Sequence, residues 1–184
     1  MRGSSCRIHK LTNILTMSTS EVEIHIRAAH AGDVGDIVRF NAAMALETEH
    51  RALDVDVLRA GVEAALGDAR HGFYLVAESA GRGVACLLIT YEWSDWRNGQ
   101  WWWLQSVYVD PDFRRHGVFR ALYDEVERRV RSAPGAIGLR LYVERDNRRA
   151  QQTYTALGMH ETDYRLYEKT LAPARAPATT AVGG

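Results

Sequence analysis

The chain has 184 residues, 46% of them hydrophobic and 25% charged, with a formal net charge of zero. That make-up fits one soluble globular domain large enough to bury a real core. Balanced charge gives no global pull toward nucleic acid or anionic membrane, so any anion site has to be local. No apolar run reaches transmembrane length. The only two cysteines, Cys6 and Cys86, lie far apart without a CxxC partner. That pattern points to a reducing, cytoplasmic setting with no disulfide framework and no metal site.

Residues 1–20 carry Arg2, Arg7 and Lys10 but lack the apolar centre and cleavage site of a signal peptide, and Met17 opens a plausible second start. They read as a disordered extension before a domain spanning 21–171. The alternation in Glu23–Ala29 predicts a first strand. Asp33 is a candidate N-cap for a helix carrying Val34, Ile37, Val38, Phe40, Ala43, Met44 and Leu46 and ending near Thr48. Asp54 opens a second helix that Gly67 stops. His71–Ser79 and Arg82–Trp93 read as strands joined at Ala80-Gly81, and Asn98-Gly99 marks a second hairpin leading into a strand over Trp101–Val109. A helix then runs to about Arg131, followed by the breaker Ser132-Ala133-Pro134-Gly135. A strand over Ile137–Val143, a short helix over Asn147–Leu157 and a last strand over Tyr164–Lys169 complete the domain. From Ala172 the composition turns small and Pro-containing and reads as a disordered tail. The order β-α-α-β-β-β-α-β-α-β predicts an α/β (α+β) fold with a mixed, mostly antiparallel central sheet flanked by helices.

The chemistry concentrates where the strand ending at Val109 turns into the next helix. The turn is Asp110-Pro-Asp-Phe-Arg114-Arg115-His116-Gly117, and the helix follows at once. A helix N-terminus offers unpaired N–H groups and partial positive charge, and a glycine there lets an anion approach the backbone. By itself this is a phosphate site.

The element order and this turn together resemble the GCN5-related N-acetyltransferase (GNAT) superfamily over about residues 23–170. The signature Arg/Gln-x-x-Gly-x-Gly/Ala appears as RRHGVF, matching at Arg114 and Gly117, with Phe119 in place of a small residue. A second pattern, N-x-x-A-x-x-x-Y-x-x-x-G-F, appears as NRRAQQTYTALGM, matching at Asn147, Ala150, Tyr154 and Gly158, with Met159 for Phe. The resemblance implies acetyl transfer from acetyl-CoA to an amine by direct attack, with no acyl-enzyme. It implies a pyrophosphate cradle from the backbone of Arg115, His116, Gly117, Val118, Phe119 and Arg120. Arg114 and Arg115 would add charge, and Asn147 would hydrogen-bond the cofactor. The pantetheine arm would lie along Val107, Tyr108 and Val109, and Tyr154 would protonate the leaving thiolate. Such a reaction independently needs a proton acceptor, a donor to the carbonyl oxygen and an acid near sulfur.

Five tryptophans are unusual. Alternation sends Trp102 to the face opposite Trp101 and Trp103, so the cluster cannot all be core. The hairpin with its long strand is similar to the polyamine-acetylating branch, whose strand acids are replaced here by Gln105 and Ser106; a polycationic acceptor and a strand carboxylate base are therefore disfavoured. The acceptor-side candidates are Glu47, Glu49, Trp93, Asp95 and Gln105. The expected activity is acetylation of a small-molecule primary amine. The alternatives are a protein N-terminal or lysine acetyltransferase and a non-catalytic acyl-CoA sensor. A homodimer is possible; nucleic-acid and membrane partners are not expected.

Overall fold

The computed structural model describes residues 23–171, so the expected extension over 1–20 and the tail over 172–184 lie outside the described residues. The chain forms β1 (His25–Ala28), α1 (Val34–Glu49), α2 (Val55–Gly67), β2 (Phe73–Ser79), β3 (Arg82–Ser94), β4 (Gly99–Val109), α3 (Val118–Ser132), β5 (Ala136–Arg140) and α4 (Arg148–Ala156), in that order. The strands make one sheet in sequence order. β1 to β4 pair antiparallel and β5 joins β4 in parallel. This is the mixed, mostly antiparallel sheet that the sequence predicts.

The two-residue period of the strands builds two cores, one on each face. Leu75, Ala77, Ala85, Leu87, Ile89, Trp102 and Leu104 meet Leu122, Tyr123 and Val126 of α3. Tyr74, Val76, Cys86 and Tyr108 meet Ile37, Phe40 and Val62 of α1 and α2. Phe40, Leu87 and Leu122 are fully buried, each worth roughly 1.5–3 kcal/mol of transfer free energy. Burial pushes the Cys86 thiol up to about 12, so it is an inert small core residue.

Three expectations change. Asp33 stands at the N-cap position of α1 but makes no side-chain cap there. It takes two guanidinium bonds from Arg27 at 2.8 Å each and the His30 N–H at 2.8 Å, joining the first strand to the first helix. The second hairpin does not turn on Asn98-Gly99 alone: Asn98 adopts a left-handed φ of 45° and closes a turn by donating its N–H to the Asp95 carbonyl. The strand expected over Tyr164–Lys169 is absent. The segment pairs with no ladder, and Tyr164 and Tyr167 are exposed; an alternating pattern without a neighbour to pair is not a strand.

Two features of β4 open the sheet beside α3. Its pairing with β5 ends at Trp103 and Arg140. Its partners on β3 jump from Ser106 opposite Leu88 to Leu104 opposite Ile89, leaving Gln105 as an extra, bulged residue. A bulge bends and twists its strand, and this one lies just past the last β5 pair. From there to Val109, one edge of β4 has no strand partner among the described residues.

Candidate active site

The cradle is built by the backbone at the start of α3. Gly117 is the N-cap, with φ of 78°, and no side chain caps this helix end. The first helical bond runs from the Ala121 N–H to the Gly117 carbonyl at 3.0 Å. The N–H groups of Val118, Phe119 and Arg120 have no acceptor among the described residues, as first-turn groups do unless a cap or ligand takes them. Arg115 also adopts a left-handed φ, 68°. Successive turn residues of this kind aim N–H groups into anion-binding concavities. A Cβ added at Gly117 meets no atom within 4 Å, so the space in front of the turn is open.

The cationic side chains divide into three kinds. Arg120 pairs along its own helix with Asp124 at 2.8 Å. Arg115 and His116 are exposed and form no ion pair among the described residues. Arg114 does not reach over the turn. Its Nε donates to the Val109 carbonyl at 2.9 Å and a terminal nitrogen donates to Glu47 Oε2 at 2.7 Å. The tyrosine of β4 completes the group, with the Tyr108 hydroxyl donating to Glu47 Oε1 at 2.6 Å. The Tyr108 hydrogen bond, with help from Arg114, holds the Glu47 carboxyl below its ordinary range. Burial first, and then Glu47, push Tyr108 up to about 12. Glu47 is therefore a structural acceptor of two donors.

The strand edge follows from hydrogen-bond alternation. The Asp110 N–H donates to the Val84 carbonyl on β3 at 2.9 Å. The amides of Val107 and Val109 consequently point the other way, to the unpaired edge. Their side chains pack on the α3 face, while Tyr108 packs on the α1 face.

Tyr154 sits on α4 opposite the first turn of α3. Its ring stands edge-on to Phe119, centroids 6.0 Å apart at 74°. Phe119 therefore points at α4 and leaves the cradle's backbone clear. Burial raises the Tyr154 pKa, so it is a neutral phenol, and its hydroxyl has no hydrogen-bond partner among the described residues. Asn147 is the N-cap of α4 and accepts the Ala150 N–H at 3.1 Å. An open groove of about 430 Å³ between α3 and α4, lined by Phe119, Arg120, Arg149, Gln152, Thr153 and Leu157, lies beside the cradle.

The acceptor-side candidates are not brought together. Trp93 and Asp95 lie at the exposed tip of the β3–β4 hairpin. Cys86 faces Tyr108, and Trp93 is seven residues further along β3. At the rise of a strand that is about 23 Å from the Glu47 group. Glu49 is exposed and forms no ion pair among the described residues. Gln105 is held on both sides: its Nε2 donates to Thr90 Oγ1 at 3.0 Å and its Oε1 accepts the Tyr142 hydroxyl at 2.6 Å. Tyr142, beyond β5, joins this group although sequence reading did not single it out; its ring also lies tilted against Trp103, centroids 5.9 Å apart. Trp103 donates its indole N–H to Glu92, and Arg140 pairs with the same carboxylate at 2.6 Å while lying 4.3 Å over the Trp101 ring. Trp102 is core on the opposite face, as alternation predicts. The strand expected over Ile137–Val143 ends at Arg140, so Tyr142, read from sequence as a strand residue, instead lies just beyond β5.

Known proteins bear on this geometry. The chain is similar over residues 41–159 to the Acetyltransferase (GNAT) family. Among solved structures it resembles a possible acetyltransferase from Clostridium difficile 630, with 45% identity and a TM-score of 0.77 over 82% of this chain and 99% of that one. It shares the fold of an aminoglycoside N-acetyltransferase in complex with CoA, at 18% identity and a TM-score of 0.68 over 82% and 97% of the two chains. It also shares that of a ribosomal-protein-alanine N-acetyltransferase from Brucella melitensis biovar Abortus 2308, at 18% identity and a TM-score of 0.64 over 80% and 99%. A search of curated proteins finds no match. With the family match covering more than half of the chain, and a helix start without a side-chain cap where the RRHGVF signature falls, the protein belongs to the GNAT family of acetyltransferases.

Proposed function

We propose that the protein transfers the acetyl group of acetyl-CoA to the primary amine of a small molecule, by direct attack in a ternary complex. The observation that carries this reading is the juxtaposition at α3: three first-turn N–H groups without acceptors, in front of open space, with the free phenol of Tyr154 packed against the same turn. The fold shared with an acetyltransferase solved with CoA supports the choice of cofactor.

Acetyl-CoA, when bound, supplies a thioester carbonyl activated toward an amine. The N–H groups of residues 118–120 and the side chain of Arg115 hold the pyrophosphate. The amides of Val107 and Val109 on the unpaired edge align the pantetheine arm as an added strand would be aligned. The Val109 N–H is the donor to the carbonyl oxygen. Tyr154, kept protonated by burial, would hold the proton that the leaving sulfur needs. Gln105 and Ser106 stand where a strand carboxylate would act as base, and Glu47 is occupied by Tyr108 and Arg114. Neither position supplies a free carboxylate to take the proton of the attacking amine.

The test is CoA thiol release by the purified protein with acetyl-CoA, against a panel of small amines and of peptides bearing free N-termini or lysines. Turnover with a small amine is expected. Turnover confined to peptides overturns the acceptor class, and tight CoA binding without turnover on either set leaves a sensor instead of an enzyme.

A further inference from the structure

Arg114 is the first residue of the phosphate-loop signature, yet its side chain is pinned away from the loop mouth. We propose that Arg114 and Glu47 form a positioning latch, which holds the cradle in register with β4 and α1, and that Arg114 itself does not bind the phosphates. The inference rests on the reading of the α3 turn as a CoA pyrophosphate site.

Three contacts fix the guanidinium. Nε is on the Val109 carbonyl at 2.9 Å, a terminal nitrogen is on Glu47 at 2.7 Å, and the carbon lies 5.3 Å over the Tyr108 ring. Glu47 belongs to the last turn of α1, 67 residues away in sequence. Tyr108 shares Glu47 through its hydroxyl and packs on Phe40 of the same helix, centroids 5.6 Å apart. β4, α1 and the loop thus converge on one arginine three residues before Gly117.

Turning Arg114 toward a phosphate would break two charge-assisted bonds and strand both the Val109 carbonyl and the Glu47 carboxylate. Arg115, with no competing ion pair among the described residues and a left-handed backbone inside the turn, is left for the anion together with the neighbouring His116. Arg114 and Glu47 are only partly buried, with side-chain exposures of 38% and 41%. The pair is therefore a weak contributor to stability, and its effect lies in where it sets the loop. The Val109 carbonyl points to the unpaired edge, so Arg114 also closes the end of that edge and fixes how far along β4 an added strand can run.

The experiment is calorimetric CoA binding by the full-length protein, unaltered and as Arg114→Lys, Glu47→Gln and the double variant, each with its thermal unfolding curve. Lysine keeps the charge but lacks the rigid, spaced donor fork with which Arg114 reaches the Val109 carbonyl and Glu47 together. Both single variants are expected to weaken CoA binding about tenfold. The double variant should bind no more weakly than the worse single, because each breaks the same contact. Arg114→Lys at unaltered affinity would show that charge alone suffices and overturn the latch. So would loss in Arg114→Lys beside unchanged or tighter binding in Glu47→Gln, the mark of an arginine acting directly on phosphate. A lower unfolding midpoint with unaltered CoA affinity in every variant reduces the pair to an ordinary ion pair and likewise overturns it. Absence of CoA binding by the unaltered protein sinks the cradle reading itself, and is seen before any variant is compared.

Discussion

Tyr154 owes its candidacy to two neighbours of different kinds: apolar surroundings that keep its proton on, and Phe119, which fixes its ring against the first turn of α3. In Tyr154→Phe the ring and its packing survive while the proton donor goes. Acetyl transfer should slow about 10²-fold, with CoA affinity within about a factor of two of the unaltered protein by calorimetry. An undiminished rate removes Tyr154 as the acid. The working form is the protonated one, lost only as pH rises through a pKa above the ordinary value of about 10. The rate should accordingly show no alkaline fall from this group below about pH 10. Residues such as Tyr154, Gly117 and Asn147 were legible because a local motif fixes their place on a turn or helix. Glu47 was legible only as a charge near the end of a helix, since its partners lie 61 and 67 residues away. For Trp93 and Asp95 the sequence hid something else: closeness in sequence to β4 conceals that a long hairpin carries them to the far end of the sheet.

At the scale of the element, α3 does two jobs with one sequence. Its apolar side supplies Leu122, Tyr123 and Val126 to the core. Its start is left without a side-chain cap, which costs helix stability unless something else takes the N–H groups. Gly117→Val tests whether that opening is functional. The left-handed backbone of residue 117 disfavours a branched side chain by roughly 1–2 kcal/mol, and the new methyls would stand in the space before the turn. Calorimetry should show CoA affinity falling by more than about tenfold, with a folded protein by circular dichroism. Retained affinity counts against the cradle. Strands and helices were readable here from their periods and turn residues. The exception, Tyr164–Lys169, shows the limit: alternation describes a side-chain pattern, whereas a strand also needs a partner's amides.

For the molecule as a whole, carboxylates tied to arginine set the response to acid. Arg27 holds Asp33 below its ordinary range, and Arg128 and then Arg129 bring Glu125 to about 2. A carboxyl whose pKa is lower in the folded state contributes stability that is complete above its unfolded value, near 4, and is lost as pH falls through the folded value. Urea midpoints should therefore hold steady above about pH 5 and decline from pH 4 toward 2. Asp33→Asn should cost about 1–2 kcal/mol at neutral pH, since Arg27 loses its two-pronged partner and keeps only Glu78, at 2.8 Å, and should flatten the decline; an unchanged midpoint would contradict this account. Within that frame, the extra residue at position 105 has a consequence for how β4 is read. Before it, odd-numbered Trp101 and Trp103 stand opposite the α3 core; after it, odd-numbered Val107 and Val109 pack into that core. Parity changes meaning in mid-strand. Any sequence comparison that carries an unbroken two-residue repeat through β4 assigns every side chain on one side of Gln105 to the wrong face, and would mistake valines of the α3 core for residues of the opposite face.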